Sequence, residues 1–178
     1  MERLLTRVSS AERTPAAGSA ATAAAALAAA LITKVARRSR EVWPEAGGAI
    51  AQAAALDSRL WVNAAALEMS YEAATDALET SNQPRIAETL PQAAEDSLEL
   101  ARIAADVAEL ALEAGHRCDQ AHHADMTVAA VLAEAAARAG ALLVAVNLLS
   151  RTDDSRSSEA RLLVARAQTA AETLASER

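Results

Sequence analysis

Hydrophobic and polar positions follow a helical period along nearly the whole chain, and the places where the period fails are informative. From Ala16 to Thr33 no residue is charged. Thr14 and Pro15 stand just before that run as a cap and a first-turn proline, so a helix is expected from Thr14 to about Arg40, broken at Trp43-Pro44. Upstream, Met1 to Arg13 reads as a short amphipathic helix with Leu4, Leu5 and Val8 on one face. A third helix runs from about Pro44 to Glu79, with Ile50, Leu56, Leu60, Leu67 and Leu78 spaced for an inner face. After a turn at Ser81-Asn82-Gln83-Pro84, a fourth helix starts at Pro84 or Pro91 and extends to Ala114, with Gly115 as its stop. "HRCDQAHHAD", His116 to Asp125, has no period and reads as a loop whose Asp125 caps the next helix. That fifth helix, Met126 to Ser150, is apolar nearly all round apart from Glu134 and Arg138 as far as Asn147, which predicts a central place in the bundle. Asp153-Asp154-Ser155 opens the last helix, with Leu162, Leu163, Ala167, Ala170 and Leu174 alternating with charges.

Composition sharpens this picture. Of the residues, 52% are hydrophobic but only 2% are aromatic and none is Phe, so the core is built from Ala, Leu and Val, which suits closely packed helices. Five Gly and four Pro are too few for the turns of a sandwich or barrel. The expected fold is all-α, one bundle of five to six helices spanning 1–178 as a single domain. A net charge of −7 argues against nucleic acid as a partner, and the lone Cys118 excludes an internal disulfide. The uncharged second helix resembles a signal or membrane segment in length. Its alanine content, its polar Gly-Ser-Ala-Ala-Thr start and the acids Glu2 and Glu12 upstream instead predict a buried helix of a cytoplasmic protein, with no membrane partner.

Candidate chemistry lies where polar groups interrupt apolar runs, because a buried unpaired polar group costs about 1–3 kcal/mol. Asn147 within "LLVAVNLLS" is one; the bland alternative is an interhelical hydrogen bond. Gly18 and Ser19 are others, at a helix start whose amides and dipole suit an anion, with close helix packing as the alternative. His116, Cys118, Asp119, His122, His123 and Asp125 crowd together, but their spacing matches no zinc pattern, and no metal is expected. Trp43, Trp61 and Tyr71 are the available rings for stacking on a flat ligand.

Three segments together resemble the all-helical cyclodeaminase and cyclohydrolase family that acts on one-carbon tetrahydrofolates. "TPAAGSAATAAAALAAALITKVARRS" is similar to the family's "TPGGGSAAALAGALGAALVAMVARLT" type of opening. "ADMTVAAVLAEAAARAGALLVAVNLLS" resembles its "SDAGVAALLAEAALEGALLNVRINL" type of helix, and "DSRLWVNAAALEMSYEAA" its Asp-x-x-x-aromatic segment. The resemblance implies a helical homodimer with a tetrahydrofolate derivative as substrate, as a formiminotetrahydrofolate cyclodeaminase or a methenyltetrahydrofolate cyclohydrolase. It places Gly18, Ser19, Asp57, Trp61, Asp125 and Asn147 on matching positions; by their chemistry Gly18, Ser19, Trp61 and Asn147 are the candidate folate-binding residues, and Asp57, Asp125, His122 or His123 the candidate proton carriers. The family's triple glycine is Ala16-Ala17-Gly18 here, and "HRCDQAHHAD" replaces its "GNPNAVSD" run. These departures keep a second reading open: a family bundle without the chemistry, serving as a folate-binding or protein-interaction scaffold.

Overall fold

The computed structural model describes residues 2–149 and 153–177. Six helices succeed one another: α1 (Glu2–Val8), α2 (Ala17–Arg38), α3 (Ala46–Glu79), α4 (Gln83–Arg117), α5 (His123–Asn147) and α6 (Ser155–Ser176), with a 3-10 turn at Gln120–His122 before α5. No strand occurs among the described residues, and the all-α expectation holds. Met1 and Ser150, outer ends of two expected helices, lie outside the described residues.

The main core is an alanine-rich cluster drawn from α2 to α6, with a smaller cluster of Ala74, Leu90 and Ala93 between α3 and α4. α4 is buried on most of its circumference from Leu98 to Ala114, and α5 lies against it along the most extensive helix pair in the molecule. At their crossing stands Gly140. A Cβ there would lie 3.0 Å from the Ala101 amide nitrogen and 3.0 Å from the Ser97 carbonyl oxygen, so any side chain would require the α4 backbone to give by a few tenths of an ångström. α2 packs on α3 and α5; Gly18 faces Leu67, where an added Cβ would lie 3.3 Å from Leu67 Cδ1. α2 and α5 are each long and apolar enough to cross a membrane by length and composition; here ten residues of α2, Ile32 and Val35 among them, turn into the helix bundle.

Several expected boundaries move, each for a local reason. Thr14 does not cap α2. Its hydroxyl donates to Glu72 Oε1 at 2.6 Å, Ala16 is extended, and the helix opens at Ala17 with no side-chain cap. α1 stops at Val8, and Arg13 is tied to the end of α3 by ion pairs with Asp76 and Glu79. α4 starts at the earlier of its two candidate prolines, capped by Asn82 Oδ1, which accepts from the Arg85 amide at 3.2 Å, and it passes through Pro91 unbroken. Gly115 is not a helix stop. It is buried inside α4, where a Cβ would come within 2.4 Å of Leu174 Cδ2 on α6. α5 is central on one side only, since Val128, Val131, Leu142 and Val146 form an exposed stripe along it.

Arginines stitch the outer surface. Arg102 donates to Glu159 of α6 at 2.7 Å and to Glu95 at 2.8 Å; Arg166 of α6 donates to Glu109 and Asp106 of α4. The Arg102 contact holds the Glu159 carboxyl below its ordinary range.

The glycines separate packing from propensity. Gly140→Val is expected to cost about 1–3 kcal/mol through overpacking against the α4 backbone. Gly48→Ala, with nothing within 4 Å of its Cβ, should gain about 0.4–1 kcal/mol. Thermal and denaturant unfolding of both variants checks this, and equal effects would show that the crossing is not tight.

Candidate functional site

α2 begins without a side-chain cap, so its first amides have no intrahelical partners, and its first residues line a cavity of about 150 Å³. Ala16 to Ser19 form one wall. Leu67, Glu68 and Tyr71 of α3 form another, with Ser97 of α4 and Leu143 and Asn147 of α5 closing it. Gly18, Ser19 and Asn147, widely separated in sequence, are therefore brought to one place. Both bland alternatives are realised there as well: Gly18 packs on Leu67, and Asn147 Nδ2 donates to Ser97 Oγ at 3.3 Å, while that hydroxyl donates to the Ala93 carbonyl at 2.7 Å.

Ser19 is buried, and its hydroxyl donates to Glu68 Oε1 at 2.7 Å. The group expected to hold an anion is thus already engaged by a carboxylate. Among the described residues no cation pairs with Glu68. The pocket is consequently acceptor-rich beside a helix start that is donor-rich, with aliphatic walls between.

The other expected site residues stand elsewhere. Asp57 accepts from Trp61 Nε1 at 3.1 Å, and both line a groove with Leu4, Ala23, Ala26 and Leu27, midway along α2. Asp125 does not cap α5, whose N-cap is His122. It sits in the first turn and pairs with Lys34 Nζ at 3.0 Å near the far end of α2. His123 Nε2 lies 3.2 Å from the Leu174 carbonyl, which a protonated nitrogen would donate to, and His116 pairs with Glu177. From Gly18 to Lys34 is about 24 Å at ~1.5 Å per residue, so Asp125 and its neighbouring histidines do not reach the Gly18–Asn147 pocket within one chain. Trp43 is buried in the corner between α2 and α3 and is closed to ligands. Among the described residues no three His, Cys, Asp or Glu side chains gather as a metal cage.

The sequence resembles, and the fold now matches, one group of proteins. The family model described as formiminotransferase-cyclodeaminase matches residues 1–165. The chain belongs to this family. The solved structure of a formiminotetrahydrofolate cyclodeaminase from Thermotoga maritima superimposes with a TM-score of 0.80, covering 98% of this chain and 96% of that one at 19% identity. At that identity the likeness shows the fold. No curated protein sequence matches the chain.

Within this cyclodeaminase-family bundle, sequence reasoning missed Glu68 and Ser97, whereas Tyr71, one of the three rings available for stacking, does line the pocket. A signal existed for Glu68. Asp57, Trp61 and Glu68 fall at i, i+4 and i+11, one helix face, and that face of α3 lies along α2. Ser97 carried none, being a buried serine inside an alanine-rich helix.

The "HRCDQAHHAD" segment is ordered rather than loose: Asp119 Oδ1 accepts from the Ala121 amide, and the Asp119 amide donates to Ser39 Oγ at 3.1 Å. Burial pushes the Cys118 thiol up from its ordinary value of 9.0. Less thiolate is then present at neutral pH, so alkylation of Cys118 by iodoacetamide should be slower than that of a free thiol at pH 7.5 and still rising above pH 9. A rate equal to that of free cysteine would contradict this environment.

Proposed function

We propose that the protein is a one-carbon tetrahydrofolate enzyme, a formiminotetrahydrofolate cyclodeaminase or a methenyltetrahydrofolate cyclohydrolase, working as a cytoplasmic homodimer. The observation that carries this reading is the convergence of the α2 start, Glu68 and Asn147 on one pocket in a chain of this family. Both reactions pass through a tetrahedral carbon between two folate nitrogens. In cyclodeamination N10 bonds to the formimino carbon and gives up its proton, and the bond to the formimino nitrogen breaks as that nitrogen leaves protonated, as ammonia. In hydrolysis water adds to the methenyl carbon, loses a proton, and one carbon–nitrogen bond opens. Each step needs oriented reactants and a mobile proton near the reacting nitrogen.

In this reading the substrate occupies the pocket at the start of α2, with Gly18 giving backbone access and Asn147 and Ser97 offering polar contacts at its floor. Asp57, Asp125, His122 and His123, first in line as proton carriers from sequence, are assigned no substrate contact, because Asp57 and Asp125 stand away along α2 and the two histidines lie at the start of α5, His123 against Leu174 of α6. A specific observation favours the scaffold alternative: Ala16 and Ala17 line the pocket where the family pattern has glycine, and their methyl groups narrow it.

Turnover separates the two. Incubation with formiminotetrahydrofolate or methenyltetrahydrofolate, following ammonia and methenyl absorbance, is expected to show activity whose kcat/KM falls by about tenfold or more in Asn147→Leu and by no more than about threefold in Asp125→Asn. Folded wild-type protein without either activity would leave the scaffold; a larger loss in Asp125→Asn would return the proton to that residue.

The homodimer reading rests on the exposed stripe of α5. Val128, Val131, Leu142 and Val146 recur at helical spacing along α5, an apolar surface of the kind that marks contact sites. Size-exclusion chromatography with light scattering should give twice the chain mass, and a Val131→Glu/Leu142→Glu double variant should give a folded monomer. A monomeric wild type would rule the pairing out.

A further inference from the structure

Glu68 differs from most carboxylates that face a neighbouring helix, although Asp57 and Glu72 likewise have only a neutral donor, the Trp61 indole and the Thr14 hydroxyl. Glu95, Glu99, Asp106, Glu109 and Glu159 each find an arginine, and Asp125 finds Lys34. Glu68 has only the Ser19 hydroxyl, on one of its two oxygens, and it is half-buried at the mouth of a pocket with Leu67 and Leu143 as walls. A carboxylate in such surroundings calls for N–H donors. It also repels a second carboxylate from the same helix start, which removes the glutamate end of a folate from this position. Beside it the uncapped amides of α2 call for an acceptor. Acceptor and donors lie side by side, and the walls between are apolar.

We infer that this pocket recognises the 2-amino-4-oxopyrimidine edge of a flat fused ring, with Glu68 accepting its adjacent ring N–H and amino N–H and the opening amides of α2 donating to its carbonyl oxygen. Two ring systems share that edge, pterin and guanine. The inference rests on the folate reading for the choice of pterin, and it sets the substrate's direction: ring end at the start of α2, with the aminobenzoylglutamate end leading away. Ser19 is a positioning residue that holds the carboxylate by its hydroxyl.

Calorimetric titration tests this with pterin, guanosine and p-aminobenzoylglutamate as separate ligands, on wild type, Glu68→Gln and Ser19→Ala, each shown folded by circular dichroism and its melting temperature. Glu68→Gln keeps the shape but replaces one acceptor oxygen by a donor. Pterin should bind saturably, at least tenfold more weakly in Glu68→Gln and several-fold more weakly in Ser19→Ala, and p-aminobenzoylglutamate should not compete with it. Pterin binding unchanged by Glu68→Gln, or p-aminobenzoylglutamate binding strengthened by it, overturns the inference, as does a folded wild type that binds neither ring. Guanosine binding tighter than pterin, lost in Glu68→Gln, keeps the edge recognition and moves the ligand away from folate. Turnover of formiminotetrahydrofolate with a KM indifferent to Glu68→Gln would leave the enzyme reading standing while this one falls.

Discussion

The close approach of α4 and α5 is the constraint on which the remaining architecture depends. A helix pair can come this near only where small residues meet, and Ala101, Ala104, Ala105 and Ala108 on α4 face an α5 whose buried side is Ala129, Ala130, Ala133, Ala136, Ala137 and Gly140. The atoms that Gly140 approaches belong to Ser97 and Ala101. Seven residues further along α5, two turns on the same face, Asn147 reaches the Ser97 hydroxyl. The contact that fixes the core therefore also fixes the floor of the pocket. A methyl group too many at the crossing would separate Asn147 from Ser97 as well as loosen the bundle.

Charge is distributed in a complementary way. The outer surface pairs its acids with arginines across α3, α4 and α6, and these partly exposed contacts set the register of helices more than they add stability. Glu159 shows the sign. Its carboxyl is held below the ordinary value of 4.5, so what the pair with Arg102 contributes is present above that value and is lost as the pH falls through the lowered one. Among the described residues Glu68 in the pocket has no such partner, and its contact is the Ser19 hydroxyl.

Much of this was legible in the residues. The uncharged run after Arg13, the Ser81–Pro84 turn and the Asp153–Ser155 break mark helix ends to within a few positions, and the resemblance carried Gly18, Ser19 and Asn147 to a common pocket. Other features were not legible, for physical reasons. Gly115 followed by polar residues has the look of a helix stop, but its meaning depends on Leu174 some sixty positions later, which local sequence does not announce. Thr14 before Pro15 has every mark of a cap until Glu72 claims its hydroxyl. Glu68 was overlooked because a glutamate in an alanine-rich helix is by default solvated, and alanine on nearly every face of α3 leaves little contrast to show which face is inside.

The positions along α2 decide how roles can be divided. A helix advances ~1.5 Å per residue, so groups beside Gly18, Leu27 and Lys34 occupy three stations that no single reacting carbon can touch. Asp125 is matched to Lys34 at the last station, where the pair joins α5 to α2. Asp57 serves the indole of Trp61 at the middle one. At the first station an unneutralised carboxylate, open amides and a polar floor coincide. Resemblance assigns importance to all three, and the proposed substrate site is the first. The other two have structural partners that account for their residues without a substrate, and that difference is why the functional reading is anchored at the start of α2.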